Sequence, residues 1–170
     1  MVSTFGFWSL GTPQDALSNA APSSATWEAV NKVVYTPVRI PLTTICKRVW
    51  WVNGATVSGG ATIEVGVYAD AGFQPGAKLL SASATQGTAN NVQFADVTDT
   101  PLTPGLWWLA LRMSSITNTT GFSNNLGGGS GFKARTLEQL SQNPLPATAT
   151  AVERTTGRTW VYGFSTHTFT

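Results

Sequence analysis

The chain carries one histidine, His167, and one cysteine, Cys46, so the side chains that most often do chemistry are nearly absent. A hydrolase of the Ser-His-Asp type needs a histidine held between a nucleophile and a carboxylate. His167 stands three residues from the C-terminus, on the same face of a terminal strand as Val161 and Phe169, and reads as an edge-strand residue without chemistry. One His and one Cys, with no clustered carboxylates, do not assemble the ligands of a zinc centre, and no calcium-loop spacing is present.

The eight carboxylates are Asp15, Glu28, Glu64, Asp70, Asp96, Asp99, Glu138 and Glu153. A glycosidase would need two of them facing across a cleft. Asp96 and Asp99 are better explained as turn residues that bond the backbone ahead of Pro101. Gly127-Gly-Gly-Ser-Gly131 resembles a phosphate loop only superficially, because no Lys-Ser/Thr follows it, and it reads as a flexible loop. The expectation is a protein that is not an enzyme, with no catalytic residue, no metal and no cofactor.

Tryptophan is the informative residue, with seven in 170. Trp50-Trp51 and Trp107-Trp108 are adjacent pairs inside strand-like segments, where neighbouring side chains point to opposite faces. Trp107 shares a face with Leu109, Leu111 and Met113 and belongs in the core, which puts Trp108 on the outer face. For Trp50 and Trp51 the flanking Lys47 and Arg48 leave the choice open. An outward indole can be covered by an arm or loop, form a subunit interface, or serve as a platform for a sugar ring. Trp8, Trp27 and Trp108 are the expected interface residues, and Trp108→Ala is expected to weaken assembly while sparing the fold.

The elements that would hold these residues are strands. From Lys32 onward the apolar pattern has period two, broken every eight to twelve positions by turn residues. In 61–69, Ala61, Ile63, Val65, Val67 and Ala69 share one face. Thr62, Glu64, Gly66 and Tyr68 share the other, which should meet solvent or a partner. Pro37 marks an edge or a bulge. Asn53-Gly54 predicts a tight hairpin turn, and further strands are expected at 78–84, 91–97, 106–113 and 159–169. Segments 114–132 and 143–155 read as irregular, with a one-turn helical candidate at 137–140. About eight antiparallel strands predict an all-β sandwich of jelly-roll type over 32–170. Residues 1–31 hold Trp8 and Trp27 among Gly, Ser, Ala and Pro and read as an irregular arm that packs on the sheet or on a neighbour.

At 18.0 kDa the chain fits one domain with a core of its own. Charged residues make up 11% of it, less than half the ~25% usual for soluble proteins, and such a surface suits burial in an assembly. Ten basic residues stand against eight acidic ones without a Lys/Arg run, which argues against nucleic-acid binding. No apolar run approaches the length needed to span a bilayer, and the first residues lack a signal peptide's charged start and apolar stretch. Cys46 has no disulfide partner within the chain.

The segment Arg48-Val-Trp-Trp-Val-Asn-Gly-Ala-Thr-Val-Ser-Gly-Gly-Ala-Thr-Ile-Glu-Val-Gly-Val-Tyr-Ala-Asp-Ala-Gly72 resembles small structural proteins of tailed bacteriophages. Lys78-Leu-Leu-Ser81, Val92-Gln-Phe94 and Leu102-Thr-Pro-Gly-Leu-Trp-Trp-Leu-Ala-Leu111 continue the likeness. It covers roughly residues 32–113, with looser echoes at Phe5-Gly-Phe-Trp8 and Tyr162-Gly-Phe164. The resemblance implies a non-enzymatic virion component, assembled in the host cytoplasm. Its expected role is a capsid decoration or cement protein that binds the major capsid protein as an oligomer, a homo-trimer in many such proteins. The alternative is a tail-associated receptor-binding or carbohydrate-binding module that meets a host surface glycan. The absence of heptads for a coiled-coil shaft favours decoration, and residues 11–25 would form the adhering arm.

Overall fold

The computed structural model describes residues 7–9, 23–116, 118–123, 136–154 and 158–167. They form thirteen strands: β1 (Phe7–Ser9), β2 (Ser23–Thr26), β3 (Val33–Ile40), β4 (Thr44–Val52), β5 (Thr62–Asp70), β6 (Pro75–Thr85), β7 (Val92–Leu102), β8 (Gly105–Met113), β9 (Asn118–Ser123), β10 (Leu137–Gln139), β11 (Val152–Glu153), β12 (Arg158–Trp160) and β13 (Tyr162–Ser165). The fold is all-β, and its sheets are antiparallel. One sheet has the order β1-β13-β4-β7, a second has β11-β10-β3-β8-β5-β6, and a small third sheet has β12-β9-β2.

Strict alternation in β5 and β8 explains why the first two sheets stack as a sandwich. Ile63, Val65 and Val67 of β5 and Leu109, Leu111 and Met113 of β8 turn inward, where they meet Cys46, Val49 and Trp51 of β4 and Tyr162 and Phe164 of β13. Fully burying side chains of this size stabilises by roughly 1.5–3 kcal/mol each. Trp27 and Trp160 close one part of this core with ring centroids 4.8 Å apart. The Tyr162 hydroxyl bridges the layers, 2.9 Å from Thr36 Oγ1, and also donates within reach of the Val34 and Leu109 carbonyls. Burial pushes its pKa well above the usual tyrosine range, so it stays a neutral cross-layer link.

Several local expectations are corrected. Asn53-Gly54 does not make a hairpin turn: neither residue has a positive φ, and β4 and β5 lie in different sheets. Asn53 is instead a buried hub. It accepts from Trp51 Nε1 at 3.2 Å and donates to Thr88 O and Gln93 Oε1, both at 3.0 Å. Asp96, Asp99 and Pro101 lie inside β7, which runs eleven residues rather than ending in a turn. The helical candidate is β10, because Leu137, Glu138 and Gln139 pair with Tyr35, Val34 and Val33. Segment 114–132 contains β9, and 159–169 divides into β12 and β13. Among the described residues Pro37 sits at an edge, since β10 reaches only as far as Tyr35 and that stretch of β3 is paired with β8 alone.

Candidate interaction surface

The outward faces of the two large sheets are treated differently by the chain. On the six-stranded sheet the face carrying Tyr35, Tyr68, Trp108, Ala110 and Leu137 is roofed by Leu145, Ala149 and Ala151. The roof is pinned by polar contacts. Tyr68 donates to Pro146 O at 2.7 Å and Lys78 Nζ to Leu145 O at 2.8 Å, while within the sheet Tyr35 donates to Gln139 Oε1 at 3.0 Å. Beneath it Glu64 Oε2 lies 3.2 Å from Arg112 Nε and accepts from Leu145 N at 2.9 Å, while Arg112 Nη1 reaches Asn31 Oδ1. A buried ion pair of this kind persists because its remaining polar sites are filled. The face of Glu64 and Tyr68, expected to meet solvent or a partner, meets its own chain.

Two of the expected interface residues are covered by the chain itself. Trp108 points outward from the sandwich core as its face predicts, but it is 1% exposed under the roof, with Nε1 donating to Asp70 Oδ1 at 2.8 Å. Trp27 is also 1% exposed, packed on Trp160 inside the core. Neither ring offers surface to a partner in the folded chain, so the interface expected on them is withdrawn. Period-two reasoning finds a face but does not say what covers it. Trp8 lies in β1, opposite Phe164 of β13, and its side chain lies outside the described residues, as do Asp15, residues 11–25 and Gly127–Gly131.

The four-stranded sheet presents a different outer face. The pairing Trp50↔Phe94 and Arg48↔Asp96 sets four outward side chains side by side on β4 and β7. The Arg48 guanidinium carbon stands over the Phe94 ring, 3.9 Å from its centroid, and its Nε meets Asp96 Oδ1 at 2.5 Å. Trp50 donates Nε1 to Phe164 O at 3.2 Å, while Trp51 turns into the core, which resolves the pair left open by the sequence. Here Phe94 is 47% exposed and Val92, two residues away on β7, 51%, while Ile45, 46% exposed, lies at the other end of the pairing opposite Pro101. The result is a strip of half-exposed apolar side chains beside a carboxylate held in place by a buried arginine. The hydrogen bond from Arg48 lowers the pKa of Asp96 below the usual carboxylate value, so it is charged at neutral pH.

With Asp96 and Asp99 read as turn residues the outward course of Val92, Phe94 and Asp96 is cut short, whereas β7 continues to Leu102. A signal was available in the alternation of Val92, Phe94 and Asp96 with Gln93, Ala95 and Val97. Ala95 and Val97 do pack on the core, which leaves the other set outside.

The residues considered for catalysis do not converge. Cys46 is buried, and desolvation pushes its thiol up to about 12, so no thiolate forms near neutrality. His167 lies past β13 with Nδ1 2.8 Å from Thr166 Oγ1, while Ser165 Oγ meets the backbone of His167 rather than its ring. Glu28 and Glu138 do face one another across a cation: Lys32 Nζ lies 2.6 Å from Glu28 Oε2 and 2.5 Å from Glu138 Oε2, and Arg154 pairs with Glu28. Each carboxylate is neutralised by a cation, and the cluster ties the segment before β3 to β10 and to the residue after β11. Among the described residues no group of three or more His, Cys, Asp or Glu could hold a metal ion, and no helix is long and apolar enough to cross a membrane. No protein-family model matches the chain, and no curated protein matches it.

Proposed function

We propose that the chain is a non-enzymatic structural β-sandwich that acts by surface contact, as a virion component decorating an outer capsid surface. The observation that carries the contact reading is the asymmetry of the two outer faces. One is roofed by residues around Leu145, Ala149 and Ala151, while the other keeps Val92 and Phe94 half-exposed two positions apart on β7. Exposed apolar side chains grouped in this way suit a partner surface. The virion assignment rests on the sequence resemblance over residues 32–113 and on the low charge.

The strand orders support the finer reading of the fold as a jelly roll. With β1, β3, β4, β5, β6, β7, β8 and β13 taken as eight successive strands, the two layers hold the first, eighth, third and sixth, and the second, seventh, fourth and fifth. This is a winding in which the chain wraps the two layers as paired Greek keys.

Immunogold labelling of virions that contain the protein tests the assignment. Label spread over the head is the expected result, and label confined to the tail favours the second reading, a receptor-binding or carbohydrate-binding module. That reading draws on the Phe94 ring standing next to the oriented Asp96 carboxylate. Glycan titration monitored by tryptophan fluorescence tests it, because Trp50 pairs with Phe94 and should respond. Phe94→Ser is expected to weaken capsid binding while leaving the urea midpoint nearly unchanged.

A further inference from the structure

The six-stranded sheet ends at β6, whose far side faces away from β5. The register fixes which residues send backbone groups that way. Gln86 N donates to Ala61 O at 2.7 Å, and Thr62 and Ser114 exchange bonds on the other side of β5. With Thr62↔Thr85, Glu64↔Ser83 and Gly66↔Ser81 opposed, Ala84, Ala82 and Leu80 bond β5, while Thr85, Ser83 and Ser81 point their N–H and C=O groups outward. Leu79 is the extra residue of the bulge before this stretch.

The chain blocks both ends of that edge. At the start, Lys78 N donates to Ala147 O and Ala149 N to Gly76 O. At the far end, Gln93 Nε2 donates to Thr85 O at 2.6 Å. Between them, among the described residues, no strand pairs with the outward groups of Ser81 and Ser83. The other long edge, β7, is protected in the usual manner by Asp96, Asp99 and Pro101. The stretch 79–85, Leu-Leu-Ser-Ala-Ser-Ala-Thr, has no charge, no proline and no glycine.

We propose that this window is a self-association edge, taken by the same window of a second copy in an antiparallel, two-fold symmetric pair centred on Ala82. In that register Ser81 faces Ser83 of the second copy and Ser83 faces Ser81, so all four outward groups on each strand are satisfied in two closely bonded pairs. The sequence is self-complementary there: no like charges meet, the serine hydroxyls oppose one another on one face, and on the other Ala82 opposes Ala82 and Leu80 opposes Ala84. Leu80, Ala82 and Ala84 are only partly buried against the core, and a second strand beside them completes their cover. The blocked flanks limit the pairing to this window and favour a closed pair over an open stack. The inference stands apart from the virion reading, since it concerns free protein in solution.

Sedimentation equilibrium on the full chain tests it. At about 100 µM, enough to populate a pair of micromolar affinity, the expected mass is twice 18.0 kDa. Ser83→Pro removes an outward N–H that makes no bond to β5, so the monomer fold should persist while the pair weakens at least about tenfold. Ser81→Lys with Ser83→Lys places like charges opposite one another and should give monomers. Ser81→Glu with Ser83→Lys places opposite charges in both positions and should restore the pair. Circular dichroism and the urea midpoint confirm that each variant is folded. A monomeric or trimeric wild-type mass overturns the proposal, as does a pair that survives Ser83→Pro or the double lysine variant.

Discussion

One carboxylate of β5 holds both a buried indole and the turn beside it: Asp70 Oδ1 accepts from Trp108 Nε1 at 2.8 Å, and Asp70 Oδ2 accepts from Phe73 N at 3.2 Å. Phe73 has a φ of 63°, a left-handed conformation in which a bulky residue needs outside support. Trp108→Ala is therefore expected to destabilise the chain by about 3–5 kcal/mol, the range for emptying a core site of this size. Asp70→Ala should cost about 1–3 kcal/mol through the unpartnered indole N–H. Urea denaturation of the two variants checks both, and a Trp108→Ala midpoint equal to wild type would return the indole to the surface.

Glu64 and Arg112, 3.2 Å apart and both buried, are expected to act as a unit. Glu64→Gln should cost about 3–5 kcal/mol, because the guanidinium stays buried without its counter-charge. Replacing the pair together with Gln and Met should cost clearly less than the sum of the two single changes. A double-mutant cycle by chemical denaturation measures the coupling.

Acid should weaken the β4–β7 face through Asp96. Its carboxyl pKa is lowered in the folded chain, by the Arg48 hydrogen bond above all. The stabilisation is therefore complete above the ordinary carboxylate value and is lost as pH falls through the lower folded value. A carbon-detected NMR titration should place the Asp96 midpoint below 3.8, and Arg48→Gln should move it back up.

Cys46 should not react with a thiol reagent at pH 8 in the folded chain, because it is buried and its thiol titrates only near 12. One equivalent should react on unfolding in urea. Reaction at the same rate in both states would place the thiol at the surface.

Sequence periodicity located what alternation can locate. The inner face of β5, the inward course of Leu109, Leu111 and Met113, and the outward course of Trp108 all follow from residues spaced two apart. It failed where a side chain is used over distance. Asn53 has the composition of a turn, yet its amide joins Trp51, Thr88 and Gln93 across a loop and two strands. Short strands such as β10 carry too few residues to show a period and are formed by the partner they pair with. The cover over Trp108 was legible only as a need, since an apolar outward face requires a roof but its own sequence does not name one.

The roof, the β10–β3 pairing and the cross-layer link together set a schedule for the ribosome. Leu145 N bonds Glu64 across 81 residues, Tyr35 bonds Gln139 across 104, and Tyr162 bonds Thr36 across 126. Contacts of such separation form slowly because a long loop must close before any of them contributes. During synthesis, β3, β5 and β8 emerge with Tyr35, Tyr68 and Trp108 uncovered, and they stay so until the residues around Leu145 leave the exit tunnel. The growing chain thus passes through an interval in which this aromatic face is bare, and chaperone dependence or truncation-induced aggregation should be high for products that end between residues 113 and 145.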